Sequence, residues 1–316
     1  MRIVVTGALG HIGSALIRII PNCIINCEII LIDNLLTQRY GSLFNLPSNG
    51  NYTFINESIE NLNLVKIFDD VDYVIHLAAI TDASSSFERA DLIESNNFNS
   101  TKLVAEACVI TGTKLITLSS TSVYGTNSLV VDENCPRSDL KPQSPYATTK
   151  LKEEDFVIEL SRKKNLKAVV CRFGTIFGIS PGMRFHTAVN KFCWQAAYGQ
   201  PLTVWSTAYK QMRPYLGLQD ACNAIIHIIN KDLFSGEIYN ILTKNATVFE
   251  IVESIKFYQN DLVLNFVDHQ IMNQLSYEVL SKKFKSTGFS ADCNLHDSIG
   301  ETMHLLGNKT LKKFIA

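Results

Sequence analysis

Ile3 to Val5 form a short unbroken apolar run, and Ser14 to Ile20 follow with apolar residues at helical spacing. The same two patterns then repeat along the chain. Glu28–Asp33, Tyr52–Asn56, Asp72–Ala79, Lys114–Leu118 and Lys167–Phe173 are apolar at consecutive positions, as expected of parallel strands covered on both faces. Between them, Asp91 to Ile110 carries helical periodicity through Leu92, Phe98, Leu103, Val104 and Ala107, with Gly112 ending it. A second long helix is predicted from Tyr146 to about Lys164. Strands that alternate with helices imply right-handed crossovers, hence an α/β chain with a doubly wound parallel sheet. A ligand of such a sheet sits at the carboxyl ends of its strands.

The pattern changes after residue 176. Residues 179–212 hold glycines, prolines, both tryptophans and several polar aromatics, with a helix predicted from Thr187 to Tyr198. Gln211 to Asp220 leads into a predicted helix at Ala221–Asn230, and Ile238–Ile241 could return a strand to the main sheet. The expected organisation is a main domain of residues 1–176, to which 213–241 return, and a smaller lobe of 177–212 and 242–316.

Composition narrows the partners. Lysine plus arginine (29) nearly cancels aspartate plus glutamate (30), for a net charge of −1. Nucleic acid and anionic membranes need a concentrated basic face, so neither is expected as a partner. The only basic run, Lys309 to Lys313, reads as a frayed terminus. The first apolar run is too short for a signal peptide or a membrane span, so a cytoplasmic location is expected. Eight cysteines are scattered with no C-x-x-C pair. They read as reduced, buried small hydrophobes, and no metal site is expected.

Three features carry chemistry. Thr6-Gly7-x-x-Gly10-x-x-Gly13 stands between the first strand and the first helix, where glycines allow a sharp turn and close approach of backbone to a phosphate at a helix N-terminus. Alone, that spacing also suits a plain glycine turn. Asp33 ends the second strand twenty residues after Gly13. An acid there accepts from adenosine ribose hydroxyls and repels a 2′-phosphate, which favours NAD over NADP. Tyr146 and Lys150 stand one turn apart on one helical face, just after the serine-rich end of the fifth strand.

In order along the chain, Thr6–Gly13, Asp33-Asn34-Leu35, His76-Leu77-Ala78-Ala79, Asn97-x-x-x-Thr101, Ser119–Gly125, Ser144-Pro-Tyr146-x-x-x-Lys150, Arg172-Phe173-Gly-x-x-x-Gly178 and Arg213 with Asp220 resemble the extended short-chain dehydrogenase/reductases of the nucleotide-sugar epimerase and dehydratase superfamily. The likeness is nearest to UDP-glucose 4-epimerase-like members. It covers Met1 to about Asn240 and implies a Rossmann-like fold with a substrate-binding C-terminal lobe. It further implies Tyr146 as the base, Lys150 stabilising its phenolate and holding the nicotinamide ribose, and Ser120 orienting the same oxygen. An ordinary phenol titrates near ~10, so a neighbouring positive charge is needed for a phenolate at neutral pH. The cofactor set implied is Gly7, Gly10, His11, Ile12, Gly13, Asp33, Asn34, Glu57, Ser58, Leu77, Ala78, Ala79, Asn97, Tyr146, Lys150 and Phe173. The substrate set is Ser86, Thr121, Thr175 and Arg213, with Arg213 clamping the diphosphate. Members commonly dimerise through the helices near 91–110 and 146–164 as a four-helix bundle, so a homodimer is expected.

Departures from the pattern choose among reactions. Glu57 stands where Asp usually accepts from adenine, Thr175 where Asn is usual, and Ile271 to Tyr277 offers no second diphosphate arginine. Thr121 and Ser122 occupy the positions of the acid and base that water elimination needs, which argues against a 4,6-dehydratase. Cys135 and His186 read as loop residues rather than a proton-exchange pair. What remains is a 4-epimerase acting through a transient 4-keto sugar on NAD. A C4 oxidase or 4-ketoreductase on the same residues, and a non-catalytic NAD-sensing regulator, are the alternatives.

Overall fold

Strand β1 (Arg2–Thr6) leads through the glycine turn into α1 (His11–Cys23), then β2 (Glu28–Ile32), β3 (Asn51–Ile55), α2 (Leu64–Phe68) and β4 (Tyr73–His76). Described in the computed structural model are residues 1–81, 90–125, 128–268 and 276–307. Helices α3 (Ala90–Ile93) and α4 (Asn99–Thr111) flank a π-helical turn at Glu94–Phe98, where one continuous helix was expected. There follow β5 (Lys114–Ser120), β6 (Val130–Val131), α5 (Pro145–Lys164), β7 (Ala168–Phe173) and β8 (Thr175–Phe177). The remainder runs α6 (Ala188–Ala197), β9 (Leu202–Trp205), β10 (Met212–Gly217), α7 (Leu218–Lys231), β11 (Glu237–Ile241), β12 (Lys244–Thr247), α8 (Val248–Tyr258), β13 (Leu264–Val267), β14 (Glu278–Val279), α9 (Lys282–Lys285) and α10 (Leu295–Gly307).

Seven parallel strands make one Rossmann-like sheet in the order β11-β7-β5-β4-β1-β2-β3. Its strands alternate faces residue by residue. Ile3 and Val5 join the core under α1 and α7, whereas Val4 joins the core under α2, α4 and α5. The strand order reverses between β1 and β4, and the carboxyl ends part there to leave a crevice. The expected return of 238–241 is β11, paired with β7.

The second lobe gathers around Phe177, Val189, Phe192, Tyr215 and Ile251. Its three-stranded sheet, β12-β10-β8, pairs β10 antiparallel to β12 and parallel to β8, so Arg213 lies opposite Ala246. The segment expected only to lead into a helix is thus partly strand. Helix α5 is fixed at its start. Ser144 Oγ accepts from Ala147 N–H at 3.2 Å and Pro145 takes the first helical position, a cap worth ~1 kcal/mol. Tyr146 therefore projects from a defined first turn.

Candidate functional site

Backbone geometry at the crevice explains its glycines. Gly7 has φ +64°, and a Cβ there would stand 2.7 Å from Ala78 N; a Cβ on Gly13 would fall 2.4 Å from Gly7 O. Helix α1 opens at Gly10 with no side-chain cap among the described residues, so its first N–H groups stay open to an anion. The Asp33 carboxylate accepts from Leu9 N–H at 3.0 Å and Leu35 N–H at 2.9 Å, which ties it to the turn. Asn34 donates to Ser58 Oγ at 3.1 Å. Glu57 Oε1 accepts from Asn61 and from Ser58 N–H, and these bonds hold its carboxyl below the usual range, Asn61 contributing most. Asn97 takes both polar groups of Ile80, accepting from its N–H at 2.8 Å and donating to its C=O at 2.9 Å.

One cavity of about 440 Å³ runs from the glycine turn to the second lobe. Of the residues expected from sequence, Gly7, Gly10, His11, Ile12, Gly13, Leu77, Ala79, Ser120, Thr121, Tyr146, Lys150, Phe173, Thr175 and Arg213 line it. Asp33, Asn34, Glu57, Ser58, Ala78 and Asn97 do not. Ser86 lies outside the described residues. His186, expected as a plain loop residue, is on the wall, whereas Cys135 is not. Sequence reasoning missed Arg39, Gln143, Arg184, Lys191 and Trp205 as wall residues, whereas Ser122, placed from sequence beside the reacting carbons, does line the cavity. Arg39, Lys150, Arg184, Lys191 and Arg213 bring five cations, and no aspartate or glutamate lines the cavity among the described residues.

Several wall groups are poised by their partners. Ser122 donates to Ser120 Oγ from both its N–H (3.1 Å) and its hydroxyl (2.8 Å), so Ser120 keeps its own proton to give. Lys150 is buried with its Nζ 2.9 Å from Glu153 Oε2. Burial works against its charge, but Glu153 chiefly, and Tyr146 after it, hold its pKa above the ordinary lysine value. His11 is driven down to about 3 by burial and then by Arg184, so it is neutral; its Nε2–H donates to Gly178 O at 2.9 Å. Arg213 donates to Gln211 Oε1 at 3.0 Å, and burial pulls its pKa down. Arg172, by contrast, belongs to the core, paired with Glu154 at 2.7 Å and bonded to Tyr124 at 2.9 Å. Among the described residues no cluster of three or more His, Cys, Asp or Glu could hold a metal, and no helix is long and apolar enough to cross a membrane.

A glycine cradle that any Cβ would fill, an uncapped helix end and a ring of cations fit a dinucleotide together with a second anionic ligand. Fold and site are those of the extended dehydrogenase/reductase kind. More particularly, the chain belongs to the NAD dependent epimerase/dehydratase family, whose model matches residues 3–241.

Among its relatives is the trifunctional UDP-glucose 4,6-dehydratase/UDP-4-keto-6-deoxy-D-glucose 3,5-epimerase/UDP-4-keto-L-rhamnose-reductase RHM2 of Arabidopsis thaliana, 29% identical over 95% of this chain and 46% of that protein. The chain thus spans about half the length of that relative. The uncharacterized UDP-glucose epimerase YtcB of Bacillus subtilis (strain 168) is 29% identical over 81% of each chain. The solved UDP-glucuronic acid 4-epimerase of Bacillus cereus, in complex with UDP-glucuronic acid and NAD, superposes with a TM-score of 0.88 at 26% identity, covering 98% of this chain and 99% of that one.

Proposed function

We propose that the chain is an NAD-dependent nucleotide-sugar 4-epimerase. NAD would lie along the glycine turn with its adenosine toward Asp33 and Glu57 and its nicotinamide ribose on Tyr146 and Lys150, where it supplies a reversible hydride acceptor. Tyr146, as phenolate, takes the proton from the sugar C4 hydroxyl. The ammonium of Lys150 stabilises that phenolate, and Ser120 donates its remaining proton to the sugar oxygen. Arg213 and Thr175 hold the diphosphate from the facing wall. The 4-keto sugar then turns over, and Tyr146 returns the proton after hydride reaches the opposite face.

The observation that carries this reading is the absence of any carboxylate from the described cavity wall, which Thr121 and Ser122 help to line. Loss of water across neighbouring sugar carbons needs a positioned acid and base, whereas epimerisation needs one proton acceptor. Expected from a panel of neutral and uronic UDP- and dTDP-sugars is conversion of one to its C4 epimer without added NAD and without net NADH. Tyr146→Phe should abolish it. Stoichiometric NADH build-up would instead favour a C4 oxidase, and a 4-keto-6-deoxy product would defeat both readings.

The same reading carries a homodimer through α4 and α5. The α3–α4 segment leaves Leu92 51% and Leu103 38% exposed, as a partner-facing side would. Sedimentation velocity checks it.

A further inference from the structure

We infer that Glu153 is the positioning residue for Lys150, and that a one-directional chain of buried hydrogen bonds starting at the glycine-turn strand locks Glu153 in place. The inference rests on the proposed function only for the task it gives Lys150. Glu153 Oε2 lies 2.9 Å from Lys150 Nζ and 3.0 Å from Thr101 Oγ1, and both members of the pair are under 6% exposed as residues. The direction of every bond follows from that carboxylate. An ionised carboxylate only accepts, so Thr101 must spend its single proton on it. Thr101 Oγ1 can then only accept from His76 Nε2, 3.2 Å away, which makes His76 the Nε2–H tautomer. His76 is neutral, its pKa pulled to about 3 by burial and then by Lys150. Its Nδ1 is therefore an acceptor, filled by the hydroxyl of Thr6 at 2.8 Å. Thr6 Oγ1 in turn accepts from Leu77 N–H at 3.2 Å and Ala78 N–H at 3.3 Å, at the strand end beside the cofactor turn. Every donor points toward Glu153.

The arrangement leaves Lys150 two further N–H donors for the cavity it lines. It also gives the buried ammonium a fixed counter-charge, without which burial would favour the neutral amine. The charged and titratable groups facing Lys150 are Glu153, Tyr146 and Glu154 of α5 and His76 of β4, with Glu154 itself matched by Arg172 of β7. Helix α4 contributes Thr101, bonded to Glu153, and β5 contributes Ser119, bonded to Glu154, both uncharged. Glu153 Oε1 has no hydrogen-bond partner among the described residues, so one oxygen carries the whole connection.

Three measurements test this on the intact protein. In ¹³Cε-lysine NMR spectra, with the Lys150 signal assigned by Lys150→Met, wild type should show no titration below pH ~10; in the isosteric Glu153→Gln variant the midpoint should drop by about 1–3 pH units, the range an opposite charge at contact supplies. The alkaline limb of kcat/KM should move down by the same interval, whereas a merely structural loss would lower the whole profile without moving the limb. Thr101→Val, which keeps the charge but removes its anchor, should shift the Lys150 midpoint in the same direction by less than half as much. ¹⁵N spectra of wild type should show His76 as the Nε2–H tautomer, which needs no variant to fold. An unchanged Lys150 midpoint in Glu153→Gln, or an Nδ1–H tautomer at His76, overturns the inference. If no nucleotide sugar is turned over, the proposed function fails while both NMR readings still decide the role of Glu153.

Discussion

Replacing Arg213 with methionine should weaken substrate binding while leaving the empty protein as stable as before, or more so. The guanidinium sits on the second-lobe wall, donates to one neutral acceptor, Gln211, and makes no ion pair with a carboxylate among the described residues. A half-buried charge so placed contributes little to the fold, and partial desolvation already pulls its pKa down. Under the proposed function its task is to meet an anion. Two charge-assisted hydrogen bonds to diphosphate oxygens, at ~1.5–3 kcal/mol each, give about 3–4 kcal/mol after partial compensation by water. At ~1.4 kcal/mol per tenfold, the dissociation constant for UDP or dTDP should rise on the order of 10²–10³-fold. Calorimetric titration measures this directly. Thermal unfolding gives the matching signature, because ligand at a hundred times its wild-type Kd stabilises wild type by ~2.7 kcal/mol and the variant by almost nothing. NAD binding, built on the opposite wall, serves as the control. Binding of both nucleoside diphosphates within threefold of wild type would refute the assignment of Arg213 and with it the orientation proposed for the substrate.

Gly13→Ala places a methyl 2.4 Å from Gly7 O and 2.7 Å from Ala8 O, both backbone atoms, so the turn itself must move; NADH fluorescence titration should show affinity lowered at least ~10-fold. Tyr124→Phe removes a fully buried hydroxyl that accepts from Arg172 and donates to Asn240, each at 2.9 Å, and urea unfolding should report a loss of ~1.5–3 kcal/mol at unchanged m. The acid side of the stability curve should be steep. His11 and His76 both titrate at about 3 in the fold, against an unfolded value near ~6.5. Above neutral pH both are uncharged in either state and cost nothing. Below ~6.5 the unfolded chain takes up protons that the fold refuses, so stability falls toward ~1.4 kcal/mol per pH unit for each histidine until about 3. His11→Gln should flatten its share between pH 6 and 5, and an unchanged slope there would contradict the buried neutral form.

Legibility in the sequence followed contiguity. Thr6–Gly13, Asp33 and the Tyr146–Lys150 pair each fit within a strand, a turn or one helical turn, and local spacing sufficed to find them. Arg184 reaches the cavity from the connection after β8, Lys191 from α6 and Trp205 from the end of β9, which pairs with β13, and no spacing along the chain encodes such a meeting. Arg213 was reached through resemblance alone. Pro214, a residue that gives no proton to a ladder, hid the strand it belongs to, although β10 tolerates it. No local spacing marks out Glu153 among the charges of its helix, and the threonine that donates to it stands 52 residues earlier. Helical periodicity over 91–110 was right in kind, but it gave no sign of the π-helical turn that interrupts the ladder.

The π-helical turn at Glu94–Phe98 separates α3 from α4. A turn of this kind holds one residue more than an α-helical ladder needs, and each residue of a helix accounts for about 100° of rotation. Deleting one residue here would let the ladder close into an unbroken α-helix, yet it would swing α3 around relative to α4 and carry the Asn97 amide away from Ile80. The surplus residue therefore works as a frame setting. The segment's length is fixed by the aim of one buried asparagine, and a deletion would be read by the protein as a rotation.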